Sequence, residues 1–192
     1  MKILTHICCG PCLVYPYEKM IREGEHLTGF WYNPNIHPFT EYRERLKSLR
    51  KFQDMKGMDI IYQDSYDLER FLQAAMSDLQ DRCMHCYILR LTEAAGYAKA
   101  NGFEYFTTTL LVSPYQKLDY IRKVGNDLEI ETGVKFLDLD IVSGYREGRE
   151  KAREMGLYMQ KYCGCVFSEK ERYQQKQKKK KKKKTAAHIS AK

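Results

Sequence analysis

Seven cysteines fall into three tight groups, Cys8-Cys9-x-x-Cys12, Cys83-x-x-Cys86 and Cys163-x-Cys165, and none lies elsewhere in the 192-residue chain. Closely spaced thiolates converge on one soft metal, whereas a disulfide framework spreads its cysteines through distant loops. An odd number of thiols also cannot all pair with one another. The pattern therefore predicts a metal or redox centre where three segments meet. Each group carries its own chemistry. Cys83-x-x-Cys86 is expected to open a helix, where unpaired N–H groups and the helix dipole favour thiolate. Cys8 and Cys9 can serve one centre only if the backbone turns, which Gly10-Pro11 permits. Cys163-Gly164-Cys165 holds its thiols too closely for a relaxed disulfide, so the pair suits electron transfer better than scaffolding.

Four thiolates suit zinc or an iron–sulfur cluster equally. The surplus favours the cluster: a closed zinc site leaves three thiols idle, while a 4Fe-4S cluster with a redox pair or a second metal uses them. Among the histidines, His6 alternates with a strand core, and His26, His37 and His188 lie outside the cysteine groups. His85, inside C-x-x-C, is placed to meet a cluster sulfur, a substrate or solvent.

The elements that must position these residues alternate between strand and helix signals, predicting an α/β fold with a parallel, doubly wound sheet of about five strands, nucleotide α-hydrolase or Rossmann-like. Strands are expected at Ile3–Ile7, His26–Trp31, Met58–Tyr62, Tyr105–Leu111 and Val134–Leu139. Helices are expected at Cys12–Glu23, Pro38–Met55, Leu68–Met76, Cys86–Ala100, Tyr115–Thr132 and Arg146–Met155. In open α/β sheets the ligand crevice lies at the carboxyl ends of the strands. Cys8, Cys9 and Cys12 follow strand one, so the first thiol group sits at the mouth of that crevice, flanked by Val112-Ser113-Pro114-Tyr115-Gln116. Thr107, Thr108, Thr109, Ser113, Tyr115 and Gln116 form a polar strand end suited to hydrogen-bonding a flipped nucleoside, although Thr is also common in half-buried strands. Tyr15, Tyr17, Trp31 and Tyr32 could stack on bases, but most of the 15 tyrosines must be packing.

Charge divides the chain. The net charge of +8 comes from nine lysines at Lys176, Lys178 to Lys184 and Lys192, leaving 24 basic against 25 acidic residues before them. Residues 1–175 are read as one near-neutral α/β catalytic domain and 176–192 as a disordered lysine-rich tail, either a solvated extension or an attraction for nucleic-acid phosphates. Arg43, Arg45, Lys47, Arg50 and Lys51 form a basic stretch on the second helix, read as a solvated face with phosphate contact as the alternative. No segment reads as a signal peptide or approaches the roughly 18 apolar residues of a membrane span, so a cytoplasmic protein with no membrane partner is expected.

Four strings in order, T-H-I-C-C-G-P-C (Thr5 to Cys12), D-R-C-M-H-C-Y-I-L-R (Asp81 to Arg90), T-T-T-L-L-V-S-P-Y-Q (Thr107 to Gln116) and Y-M-Q-K-Y-C-G-C-V-F-S (Tyr158 to Ser168), resemble the cobalamin-independent epoxyqueuosine reductases, QueH. Met159 departs from the family, many of whose members carry Arg there. The resemblance implies the last step of queuosine synthesis, deoxygenation of epoxyqueuosine at the tRNA wobble position. It implies that Cys8, Cys9, Cys83 and Cys86 hold a 4Fe-4S cluster, that Cys163 and Cys165 form a redox-active pair, and that a low-potential donor such as ferredoxin or flavodoxin supplies electrons. Converting an epoxide to an alkene and water takes two electrons and two protons, while a 4Fe-4S cluster ordinarily passes one electron at a time. The C-x-C thiols could supply the second electron, or an iron near Cys12, with a carboxylate such as Asp81, could hold the oxygen as a Lewis acid. Both routes stand open on the sequence. Two other classes share features: an ATP-dependent tRNA-thiolating enzyme, whose phosphate-cradling S-G-G-x-D-S type loop is here replaced by Cys8-Cys9-Gly10-Pro11-Cys12, and a zinc-stabilised RNA-binding module.

Overall fold

The structure, a computed structural model, describes residues 1–175 and Gln177; apart from Gln177, the lysine-rich tail expected over 176–192 lies outside the described residues. Five parallel strands, β1 (Lys2–His6), β2 (His26–Trp31), β3 (Ile60–Tyr62), β4 (Tyr105–Thr108) and β5 (Lys135–Phe136), form one sheet in the order β3-β2-β1-β4-β5. All neighbours are parallel, so every connection is a crossover, and each carries at least one helix. These are α1 (Gly10–Arg22), α2 (Phe39–Lys56), α3 (Leu68–Met76), α4 (Arg82–Ala100) and α5 (Leu118–Thr132), and α6 (Tyr145–Glu154) follows β5. A last helix, α7, starts at residue 166 and continues through 175.

β1 is central and buried on both faces, which is why it reads as a near-continuous apolar run rather than an alternating one. Ile3 and Ile7 point into a core layer with Leu13, Val14, Trp31, Leu49 and Phe52, packed by α1, α2 and α6. Leu4 points the other way, with Phe30, Leu91, Phe106, Ile121 and Phe136, under α4 and α5. Among the described residues no helix is long and apolar enough to cross a membrane.

Two differences from the expected elements bear on the site. The fourth strand stops at Thr108, and Thr109–Val112 coils into a 3₁₀ turn whose first free amide, that of Leu110, is taken by Thr108 Oγ1 at 3.2 Å. Its Thr, Leu and Val content reads as strand, but the chain must turn where the crevice opens. Helix α7 is an addition to the expected elements. Its many charged and polar residues give no apolar stripe except at Val166 and Phe167, which pack near Cys165.

Candidate metal centre

The strand order reverses between β1 and β4: the crossovers from β1 run toward β3, and those from β4 run toward β5. At such a switch point the connections diverge and leave a crevice at the carboxyl ends. Here that crevice edge is occupied by sulfur. Cys8, two residues beyond β1, donates its backbone N–H to Thr109 Oγ1 (3.0 Å), and the Thr109 hydroxyl donates to Cys8 Sγ (3.2 Å). The 3₁₀ turn after β4 is thus what brings a hydroxyl to the first thiol.

Cys9 is the N-cap of α1 in extended backbone, and Pro11 occupies the first turn, where its missing N–H costs nothing. A β-carbon on Gly10 would come within 3.1 Å of the Ser48 carbonyl, so only glycine lets this turn lie against α2 without displacing it. Cys12 follows Cys9 by three residues and so lies on the same face of the first helical turn. The Sγ atoms of Cys8, Cys9 and Cys12 all fall within 4.8 Å of one another, those of Cys8 and Cys9 being 3.8 Å apart, and all three residues are buried. These three cysteines could hold a metal. Hydrogen bonds from Cys12 and Cys9 hold the Cys8 thiol well below its usual range, while burial raises Cys9 and the bond to Cys8 raises Cys12. Within the trio, thiolate is favoured at Cys8 over Cys9 and Cys12. Gln160 covers it from the C-terminal segment, its Nε2 donating to Cys9 Sγ (3.0 Å) and Cys12 Sγ (3.4 Å), while its Oε1 is buried without a hydrogen-bond partner.

Cys83 and Cys86 lie in the first turn of α4, as the C-x-x-C spacing predicts. Half-buried Cys83 packs against the core layer that contains the trio. Buried Cys86, its thiol pushed up to about 11 by burial, shares a small apolar cluster with Phe71, Ala75 and Cys165. The start of α4 therefore stands between the trio and the C-x-C segment. All seven thiols are free.

A buried cation fixes the C-x-C segment. Arg45 donates to the carbonyls of Tyr162 (2.8 Å) and Cys163 (2.9 Å) and pairs with Glu41, whose second oxygen accepts from Tyr158. With its side chain only 2% exposed, Arg45 belongs to neither the solvated face nor the phosphate contact expected for its helix. Gly164, at φ +115°, accepts the His37 N–H at 2.8 Å, and a β-carbon there would meet Ile36 at 2.9 Å. Removing Arg45 would leave the buried Glu41 carboxylate without its cation and the two carbonyls without this donor. Arg45→Ala is expected to lower unfolding stability by about 3–5 kcal/mol in urea titrations.

Exposed Cys163 differs from its buried neighbour. A hydrogen bond from the Cys165 thiol holds Cys163 down to about 6, with Ser168 Oγ 2.9 Å away, while Cys165 is pushed up. Thiolate reactivity rises with pH through the folded pKa. Iodoacetamide labelling of Cys163, followed by peptide mass spectrometry, should show a midpoint near 6, moving upward in Cys165→Ala. A midpoint near the ordinary thiol value of about 8.5 in the unmodified chain would refute this pairing.

The other sequence-predicted residues divide. Thr107 donates to the Leu137 carbonyl, and the Thr108 hydroxyl serves Nδ1 of fully buried His6, so both are spent inside the fold. Nε2–H of His6 donates to the Tyr32 carbonyl, which fixes the tautomer, and burial pushes the imidazole down to about 3, keeping it neutral. Ser113 is half-buried, and its Oγ accepts the Tyr115 N–H; Gln116 accepts from Tyr87; and the Tyr115 ring, 83% exposed, stands edge-on to Tyr145. Asp81 is exposed and accepts from the Tyr120 hydroxyl at 2.8 Å. Thr109, expected to face a nucleoside, faces Cys8 instead. Spacing and charge do not mark Gln160, Arg45 or Arg90 as parts of a thiol site. Gln160 and Arg90 do lie inside the quoted family strings, and that position is the available signal.

The family model for "Epoxyqueuosine reductase QueH" matches residues 3–171. A protein of that name from Dehalococcoides mccartyi is 37% identical over 172 residues, covering 90% of this chain and 94% of its own. Another, from Thermotoga maritima, is 36% identical over 183 residues, covering 90% and 93%. With its cysteine trio at the switch point of a parallel sheet, the chain belongs to the QueH family of epoxyqueuosine reductases and is an oxidoreductase of queuosine biosynthesis.

Proposed function

We propose that the chain reduces epoxyqueuosine within tRNA to queuosine at a 4Fe-4S cluster held by Cys8, Cys9, Cys83 and Cys86, in the reducing cytoplasm. The observation that carries this reading is the convergence of three buried thiols at the carboxyl ends of β1 and β4, in a chain of this family. The donor set fits the group: cysteines from two segments, the Gln160 amide donating to sulfur, and buried arginines beside the thiols. When bound, the cluster supplies one-electron transfer.

The remaining chemistry falls to the chain. The 3.8 Å between Cys8 and Cys9 sulfurs is the spacing of thiolates around a single metal ion at about 2.3 Å, so side chains that hold a cluster must spread from it. Cys12, third in the trio, is free to hold a second iron, with Asp81 as the candidate carboxylate. Cys163 and Cys165, with one thiol low and one high, are suited to give up two electrons as they close a disulfide; Cys165 releases one proton, Cys163 being already thiolate, and solvent supplies the second proton of the water that leaves. Ser113, Tyr115 and Gln116 rim the crevice and are the groups best placed to meet the nucleoside, since Thr107 and Thr108 are engaged internally. A ferredoxin- or flavodoxin-like donor would restore the electrons.

The test is anaerobic incubation of iron-loaded protein and a low-potential reductant with epoxyqueuosine-containing tRNA, followed by nucleoside mass spectrometry. Loss of one oxygen from the modified base is expected. Colourless protein carrying one zinc per chain and leaving the nucleoside unchanged would favour the RNA-binding module instead.

A further inference from the structure

Two arginines are buried beside the sulfurs, and they are provided for differently. Arg45 has the Glu41 carboxylate and two carbonyls. Arg90, 3% exposed and one helical turn after Cys86, forms no ion pair among the described residues. Its Nη2 donates to Asn33 Oδ1 at 2.7 Å, its Nη1 stands 4.0 Å from Cys86 Sγ, and its Nε is buried without a partner. Asn33 is itself tied to the Ile7 carbonyl (2.8 Å), and His6 nearby is neutral. A buried guanidinium facing only an amide and a thiol is costly, because taking a charge out of water is repaid only by an opposite charge or by full hydrogen bonding. Negative charge does arise in reach when the thiols become ligands.

We infer that Arg90 is the fixed counter-charge of the sulfur centre, a positioning residue that acts through Cys86 to stabilise negative charge there and so sets the centre's reduction potential. This rests on the proposed iron–sulfur reading. Reduction adds one electron and one negative charge, and a nearby cation favours the reduced form. Losing a charge-assisted bond of this kind weakens reduction by about tenfold or more, a shift of about 59 mV for one electron.

The experiment compares anaerobically reconstituted full-length protein by spectroelectrochemistry. Wild-type protein that takes up no iron would defeat the cluster reading itself, before Arg90 is in question. Given an iron-loaded wild type, Arg90→Met and Arg90→Gln are expected to move the midpoint potential negative by that amount, with Arg90→Lys close to wild type. Asn33→Asp, which keeps Arg90 but supplies the carboxylate it lacks, should move it the same way. Circular dichroism of the iron-free chain supplies the second readout. Arg90→Met, which removes an uncompensated charge, should melt no lower than wild type. A folded variant that no longer takes up iron, restored by Arg90→Lys, supports the inference equally. Unchanged potentials, iron uptake that Lys fails to restore, or an iron-free Arg90→Met chain that is unfolded or melts lower would overturn the inference and leave Arg90 as an anchor for Asn33.

Discussion

Cys83→Ala is expected to abolish deoxygenation of epoxyqueuosine and to lower the iron content of anaerobically reconstituted protein. Cys83 is half-buried at the first turn of α4, packed against the layer that holds the Cys8 trio, and under the proposed ligand set its removal takes a donor from the side of the centre that β1 does not supply. Alanine leaves no donor, whereas serine would offer an oxygen that sometimes binds iron. The same loss is expected for Cys8→Ala, Cys9→Ala and Cys86→Ala, each read by iron analysis, absorbance near about 400 nm and nucleoside mass spectrometry. Cys12→Ala separates the two sets of sulfurs. If Cys12 serves a second iron, the cluster absorbance persists while total iron falls. Full iron and undiminished turnover in Cys83→Ala would exclude it from the ligand set.

Cys163→Ala and Cys165→Ala are expected to keep the cluster absorbance and to lose multiple turnover. Cys163 is exposed and held low by its partner, Cys165 is buried and held high, and the Arg45 clamp fixes the backbone between them. One thiol alone cannot release two electrons by forming a disulfide, so each variant should be limited to what the external donor delivers. Single- and multiple-turnover assays distinguish this from a ligand role: loss of the cluster in both variants would make these cysteines ligands.

Much of this architecture was legible in the sequence. The short apolar run before Cys8 signals a strand buried on both faces, and a strand ending in Cys-Cys-Gly-Pro-Cys could be placed at a crevice mouth without coordinates. The family resemblance rested on strings that proved to lie at the switch point, the start of α4 and the C-terminal segment. What could not be read was direction. Arg45 sits in a run of basic residues, but Leu46, Leu49 and Phe52 turn its side of α2 inward, and its partners Tyr162 and Cys163 are well over a hundred residues away. Thr109 has the composition of a strand, and only the 3₁₀ turn aims its hydroxyl at Cys8. Gln160 carries no charge and no periodic signal, and it matters only because the chain folds back over the thiols.

That fold-back has a kinetic consequence. The Gln160 contact with Cys9 joins residues 151 apart, and the Arg45 clamp closes loops of 117 and 118. Contacts of such long range pay their loop-closure entropy before they gain anything, so they form late in folding. During synthesis Cys8, Cys9 and Cys12 emerge first and the segment that covers them emerges near the end. Gln160 is made 151 residues after Cys9, so the sulfur trio stays uncovered from that side until this segment folds back over it.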